Sequence, residues 1–228
     1  VALDLSDCGD TVRDIEASGG RVFGRRCDVG DMASCRAAAE DTLARFGRLD
    51  VLVNNAALFA TLKSGRFDTI AEEDWEACLR VNVTGVWNCC RAFVPPMRER
   101  GGSVVNISSL AATYGLPNAL HYTTSKAAVI AYLESLRVEL HGSGVKVVTI
   151  APGYIETPMT AVNTYPMPFL LPVEQAAARF AKAIDAGTSY CVIPWQMGVV
   201  AKLLRALPNA WYDRLIAGRG RKARRTEA

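Results

Sequence analysis

Residues 104–126 read Val-Val-Asn-Ile-Ser-Ser-Leu-Ala-Ala-Thr-Tyr-Gly-Leu-Pro-Asn-Ala-Leu-His-Tyr-Thr-Thr-Ser-Lys. The apolar run Val104–Ile107 reads as a buried strand. Ser108 and Ser109 follow, then a loop carrying Gly115 and Pro117. A helical pattern begins near Asn118 and runs to about His141. Tyr122 and Lys126 are four apart on it, so their side chains share one face, about 5–6 Å apart at Cβ. A free phenol has a pKa of about 10, too high for efficient proton transfer at neutral pH. A neighbouring ammonium stabilises the phenolate and is expected to lower that value, which makes the pair a candidate general acid/base. Tyr-x-x-x-Lys also arises by chance, as a core tyrosine beside a solvated lysine. The serines at the strand end, and the motifs on either side, lift this copy above chance.

Working outward, strands and helices alternate. Val1–Asp4 reads as the last part of a strand, followed by a polar helical segment to Ser18. Arg21–Gly24 is a short strand candidate ending in Cys27-Asp28-Val29. Asp31 caps a helix through Phe46, stopped by Gly47. Asp50–Val53 is a buried strand running into Asn54-Asn55-Ala56-Ala57. Thr69 and Glu72 fit a capping box, opening a long helix that should end before Pro95-Pro96. Val145–Ile150 is a strand ending in Ala151-Pro152-Gly153. A Pro- and Met-rich loop, a helix over 173–186 and a strand over Tyr190–Ile193 complete the regular part. This alternation predicts βαβ units around a parallel sheet with helices on both faces. Ligands of such sheets bind outside the carboxyl ends of the strands. Asp4, Asp28, Asn54, Ser109 and Gly153 all fall there.

Half of the 228 residues are hydrophobic and a fifth are charged, as in a globular domain with a real core. No apolar run approaches the ~20 residues of a membrane span, and no signal peptide opens the chain. Seven cysteines without a Cys-x-x-Cys argue against a disulfide framework or a zinc site, so no metal is expected. They favour a reducing, cytoplasmic setting. Cys89-Cys90 is read as core.

The motifs resemble those of the classical short-chain dehydrogenase/reductase family over almost the whole length. They are Asp28-Val29, Asn54-Asn55-Ala56-Ala57, Asn82 in Val-Asn-Val-Thr-Gly, Ser109, Tyr122-Thr-Thr-Ser-Lys126, and Pro152-Gly153 with Thr157. Ser109 precedes Tyr122 by thirteen residues, as in the family. The resemblance implies a single-domain Rossmann-type α/β fold with a doubly wound parallel sheet. It also implies nicotinamide-dependent hydride transfer between an alcohol and a carbonyl. By that resemblance Tyr122 exchanges the substrate proton. Lys126 tunes it and binds the nicotinamide ribose, Ser109 donates to the carbonyl oxygen, and Asn82 holds a water linking the lysine to solvent. Asp28 lies near adenine; Asn54, Ala56 and Ala57 line the cofactor, with Ala57 where the family usually has glycine; Val29, Pro152, Gly153 and Thr157 also belong to the cofactor site. Asp4, at the end of the second strand, is expected to bind the adenosine ribose and repel a 2′-phosphate. No cation lies in Leu5–Cys8, so NAD is favoured over NADP.

The family's Thr-Gly-x-x-x-Gly-x-Gly phosphate loop, with its flanking strand and helix, is absent. We expect a chain that lacks the first strand, about 30 residues of a βαβ unit. The organisation expected is a dinucleotide-binding and catalytic domain over 1–195, N-terminally incomplete, and a C-terminal amphipathic segment with a basic tail over 196–228. The tail is read as solvated, with no nucleic-acid partner. Val199, Val200, Leu203, Leu204 and Leu207 form an apolar stripe suited to a membrane surface, an active-site cover or a subunit interface, and we favour the last two. His121 is read as facing a loop or the substrate entrance. A homodimer or homotetramer is expected. Apolar residues between Pro158 and Pro172 suggest a partly apolar substrate; steroid, fatty acyl, sugar and small-ketone classes stay open. The competing reading is a non-catalytic member that binds a nucleotide or a partner.

Overall fold

Val104, Val105, Val147, Val148 and Ile150 are all nearly inaccessible, because the strands that carry them are covered on both faces. In the computed structural model, which describes residues 1–163 and 165–217, these strands are β4 (Gly102–Ile107) and β5 (Val145–Pro152). They pair in parallel, with β3 (Val51–Asn54) beyond β4 and β8 (Tyr190–Ile193) beyond β5. One face carries α2 (Met32–Phe46), α4 (Gly85–Met97) and α5 (Leu120–Glu139). Their Cys35, Ala38, Phe93, Val129 and Leu133 join Leu52, Val104 and Val147 in one core. On the other face α7 (Val173–Ala186) lays Ala176 and Ala183 on Val105, Val148 and Ile150. The doubly wound parallel arrangement is therefore present.

The ladder is not continuous. β1 (Ala2–Asp4) pairs in parallel with β2 (Gly24–Arg26), and α1 (Gly9–Ala17) connects them. Leu3 and Cys27 reach the same core as Leu52, so both sheets lie on one helix layer. Among the described residues no strand bridges β1 and β3, and Val51 and Val53 of β3 are 43% and 51% exposed. A third pair, β6 (Ile155–Glu156) with β7 (Leu171–Pro172), brackets α6 (Pro158–Ala161).

Helix α2 starts and stops as its sequence implies. The Asp31 carboxylate accepts from Ala33 N and Ser34 N, and Gly47 turns left-handed at φ 72°. Three local readings need correction. The second strand is Gly24–Arg26 and not Arg21–Gly24. Thr69 forms no capping box; its hydroxyl donates to the Arg66 carbonyl, and α3 (Glu72–Leu79) begins after Ala71. The long helix does not end before Pro95. It widens into a π-turn at Arg80–Thr84 and continues as α4 through both prolines to Met97. The prolines withhold only N–H groups; the Pro95 carbonyl still accepts from Arg98 N.

α8 (Trp195–Ala206) and α9 (Asn209–Ile216) end the described chain. Met197 and Ala201 pack with Leu110 against Tyr114 and Tyr154, and the Tyr212 hydroxyl donates to the Gly115 carbonyl at 2.6 Å. The cover expected of this segment thus lies on the loop before Tyr122. The basic tail lies outside the described residues, and none of the described helices is long and apolar enough to cross a membrane. The seven cysteines are free thiols, six of them buried, Cys89 and Cys90 among them.

Candidate active site

Parallel pairing puts every strand's carboxyl end on one edge. The registers align Asp4 with Arg26, Asn54 with Asn106, and Pro152 with Ile193. The polar residues picked from separate motifs therefore meet along that edge.

Tyr122 and Lys126 lie on α5, whose start carries Asn118 in the left-handed region (φ 64°) just ahead of it. Lys126 is 5% exposed, its ammonium 5.9 Å from the Tyr122 ring centroid and donating to the Ile107 carbonyl at 2.8 Å. Burial pushes the lysine down to about 8 from its ordinary 10.5, opposed by Cys78. Burial also pushes the Tyr122 phenol up, against a hydrogen bond with the Ser109 side chain that lowers it. The expected lowering by Lys126 is not the net result. Desolvation of a phenol inside the protein sets the direction, and Cys78 adds to the rise. The Phe59 ring lies 4.2 Å from that of Tyr122 at 41°, so the phenol has an aromatic wall that the sequence did not announce.

Ser109 is extended (φ −163°) at the end of β4, and its hydroxyl also accepts from Ala111 N at 3.1 Å. Asn82 sits in the π-turn, a local widening common at functional sites. It is 1% exposed. Its amide nitrogen donates to the Leu58 carbonyl and the Ser125 hydroxyl, and its oxygen accepts from Leu58 N at 2.7 Å. Ser125 in turn donates to the Tyr122 carbonyl. Asn82 thus pins the Asn55–Leu58 loop to the helix of Tyr122 and Lys126, where its expected role was to hold a water. Asn82→Ala orphans the Leu58 N–H and C=O and should cost about 2–4 kcal/mol. A melting midpoint unchanged from the unmutated protein contradicts this role.

At the other end, Asp28 accepts from Gly30 N at 2.8 Å and pairs with Arg80 at 3.0 Å. Burial raises its pKa, but the Gly30 amide and the Arg80 guanidinium outweigh that and hold the carboxyl below its usual range. The Val29 carbonyl accepts from Asn88, and a Cβ on Gly85 would come within 2.7 Å of Val29, so glycine is required for that approach. Asn54 donates to Asn106 across β3 and β4 at 2.8 Å. Ala56 and Ala57 are exposed in the loop beyond. Pro152 ends β5. Gly153 donates to the Ile193 carbonyl and approaches Met197, and Thr157 caps α6 reciprocally with Thr160. His121 is 1% exposed and faces the interior, not an entrance.

Asp4 is exposed and accepts from Ser6 N. A groove of about 620 Å³ opens beside it, lined by Leu5–Gly9, Val12 and Gly24–Arg26. Arg26 donates from Nε to the Leu5 carbonyl at 3.1 Å. A cation therefore stands at the turn where the local sequence has none, because the neighbouring strand supplies it. Sequence reasoning also missed Arg80, Asn88, Asn106 and Ser125, each paired with a residue 43 to 59 positions away in a different element. Ser125, next to Lys126, is the one that local sequence signalled.

A parallel α/β sheet whose carboxyl edge carries buried Lys126 and Asn82 with half-buried Ser109 and Tyr122 defines a nucleotide-binding class of fold. The short chain dehydrogenase family model matches residues 1–166, and the chain belongs to that family. It is 41% identical over 155 residues to a Mycobacterium tuberculosis protein described as an uncharacterized NAD-dependent oxidoreductase, covering 67% of this chain and 55% of that one. The chain spans 65–66% of three other curated relatives. A short chain dehydrogenase of Mycobacterium paratuberculosis, solved bound to NAD, superposes with a TM-score of 0.71 at 28% identity, over 81% of this chain and 76% of that one. A gluconate 5-dehydrogenase of Burkholderia cenocepacia, solved with NADP and tartrate, shares the fold at a TM-score of 0.77 and 23% identity, over 87% and 84%.

Proposed function

We propose that this chain carries the site of a nicotinamide-dependent oxidoreductase acting on an alcohol/carbonyl pair. The observation that carries the reading is the Ser109–Tyr122 hydrogen bond with Lys126 buried one helical turn on. The residues present fit a dinucleotide: an open groove beside the exposed Asp4, small residues Ala56 and Ala57 at the strand end, and Asp28 held ionised. When bound, the nicotinamide group supplies the hydride acceptor or donor. Tyr122 gives or takes the substrate's hydroxyl proton, and Ser109 holds the reacting oxygen. Lys126 engages the nicotinamide ribose, with Asn54, Ala56, Ala57, Pro152, Gly153 and Thr157 along the cofactor. Asp28 lies near adenine, with Val29 also along the cofactor.

We take residues 1–195 as the dinucleotide and catalytic domain and 196–228 as its appended segment, working in the cytoplasm as a homodimer or homotetramer. The open edges of β1 and β3, with Val51 and Val53 exposed between them, are read as the seat of a further strand and its Gly-rich turn. Exposed Met159, Val162, Phe169 and Leu170 beside α6 and β7 favour a partly apolar substrate.

NAD is proposed over NADP because Asp4 repels a 2′-phosphate, though Arg26 at the same turn weakens that repulsion. Asp4→Ala should move the NAD-to-NADP ratio of kcat/KM toward NADP by roughly tenfold. A ratio that Asp4→Ala leaves unchanged contradicts the assignment. The reading as a whole is tested by incubating the whole protein with either cofactor and a panel of secondary alcohols. Nucleotide binding without turnover of any of them favours the non-catalytic alternative.

A further inference from the structure

Helix α8 divides its apolar residues between two faces. Met197 and Ala201 point inward, onto Leu110, Tyr114 and Tyr154. Trp195, Val199 and Leu203, spaced four apart, point outward and are 67%, 46% and 65% exposed. On α9, Trp211 is 66% exposed. Single exposed apolar residues are ordinary, but a row of them with two tryptophans marks a contact surface. The row is held in place, since Tyr212 anchors α9 to Gly115. It also lies beyond residue 166, where the match to the family ends.

Charge selects the occupant. Residues 195–228 hold eight Lys and Arg against Asp213 and Glu227, a net of +6, so the other 194 residues carry −3. Lys202 falls on the flank of that face, about 20° from Trp195 in angle on the side away from Leu203, and Lys202, Arg205 and Arg214 are all exposed. Subunit interfaces are depleted of lysine, and a second copy packed on this face would bring the same flanking cations near one another. A helix with aliphatic and tryptophan residues outward, flanked by Lys and Arg, suits the boundary of a bilayer, and anionic headgroups attract each nearby cation.

We propose that the outward face of α8, with Trp211, docks the protein peripherally on an anionic lipid bilayer. The docking face and the loop ahead of Tyr122 then lie on opposite sides of one helix. Of the stripe for which an active-site cover or a subunit contact was favoured over a membrane surface, Val199 and Leu203 face outward to the lipid, while Met197 and Ala201, outside that stripe, pack inward on the loop. This inference stands apart from the hydride chemistry.

The test is sedimentation of the 228-residue chain with phosphatidylcholine vesicles, alone or carrying about one third phosphatidylglycerol. Sedimentation is expected with the anionic vesicles only, and should fall as salt screens the cations. Lys202→Glu with Arg205→Glu should weaken partitioning by more than tenfold, since each cation contributes roughly fivefold. Val199→Ser with Leu203→Ser should weaken it at low salt as well, while the far-ultraviolet spectra and melts of both variants stay as in the unmutated chain. Tryptophan emission should shift to the blue on the anionic vesicles, and Trp195→Phe with Trp211→Phe should remove most of that shift. The proposal is overturned by any of four results: equal sedimentation on phosphatidylcholine alone, none on either vesicle, undiminished sedimentation of Val199→Ser with Leu203→Ser, or a concentration-dependent dimer that buries Trp195 in its place. Loss of binding on removing residues 218–228, with both α8 variants unaffected, would assign the contact to the tail and also overturn it.

Discussion

Tyr122→Phe should lower kcat of the whole protein by about 10²–10⁴-fold, the usual contribution of a positioned acid/base, with nucleotide affinity unchanged. Phenylalanine keeps the ring that packs 4.2 Å from Phe59 and loses only the hydroxyl hydrogen-bonded to Ser109. The fold should tolerate the change within about 1 kcal/mol. Steady-state rates beside an isothermal titration with NADH separate chemistry from binding. A variant with near-normal kcat contradicts the role given to Tyr122. One that loses kcat and affinity together means that the hydroxyl supports the cofactor site.

Lys126→Met should cost at least a hundredfold in kcat/KM and leave a signature in stability against pH. The folded-state pKa of about 8 lies below the ordinary 10.5. Below pH 8 the lysine is charged in both states, and its burial costs stability. Between pH 8 and 10.5 the unfolded chain holds the extra proton, so this group's contribution to stability rises with pH. The displacement is worth roughly 3 kcal/mol. The buried thiols act the other way: Cys35 is pushed up to about 12, the Cys27 side-chain hydrogen bond lowering it while the Cys89 bond and burial raise it, and burial pushes Cys90 up to about 11. Their stabilising share is full below the ordinary 9 and fades above it. The difference between the unmutated and Lys126→Met melting curves isolates the lysine. It should change in the unmutated protein's favour from pH 8 to 9.5; a flat difference contradicts a buried, desolvated Lys126.

The sequence was legible where function and local pattern coincide. Asp4, Asp28, Asn54, Ser109 and Gly153 stand at strand ends that apolar runs announce, and Asp31 and Gly47 bound α2 by local hydrogen bonding and a positive φ. It was illegible where the partner comes from another strand or helix. The Arg80–Asp28 pair joins residues 52 apart, and Arg26 reaches Leu5 from the neighbouring strand. The π-turn at Asn82 depends on Leu58 and Ser125 drawing its amide inward, which no helical periodicity encodes. The direction of the Tyr122 shift was misjudged for a related reason: the lysine is local, but the burial that raises the phenol is made by the tertiary fold.

The central claim is proton exchange at Tyr122 coupled to hydride transfer between an alcohol and a nicotinamide cofactor. The most direct measurement is the near-ultraviolet absorbance of NADH as the whole protein meets NAD and a panel of apolar and polar secondary alcohols. It is run in parallel with Tyr122→Phe. The account predicts NADH formation with at least one partly apolar alcohol, rising with pH as the buried phenol ionises, and nearly absent in the variant. A protein that binds NAD and forms no NADH with any alcohol, or a variant that forms it at the unmutated rate, contradicts the account.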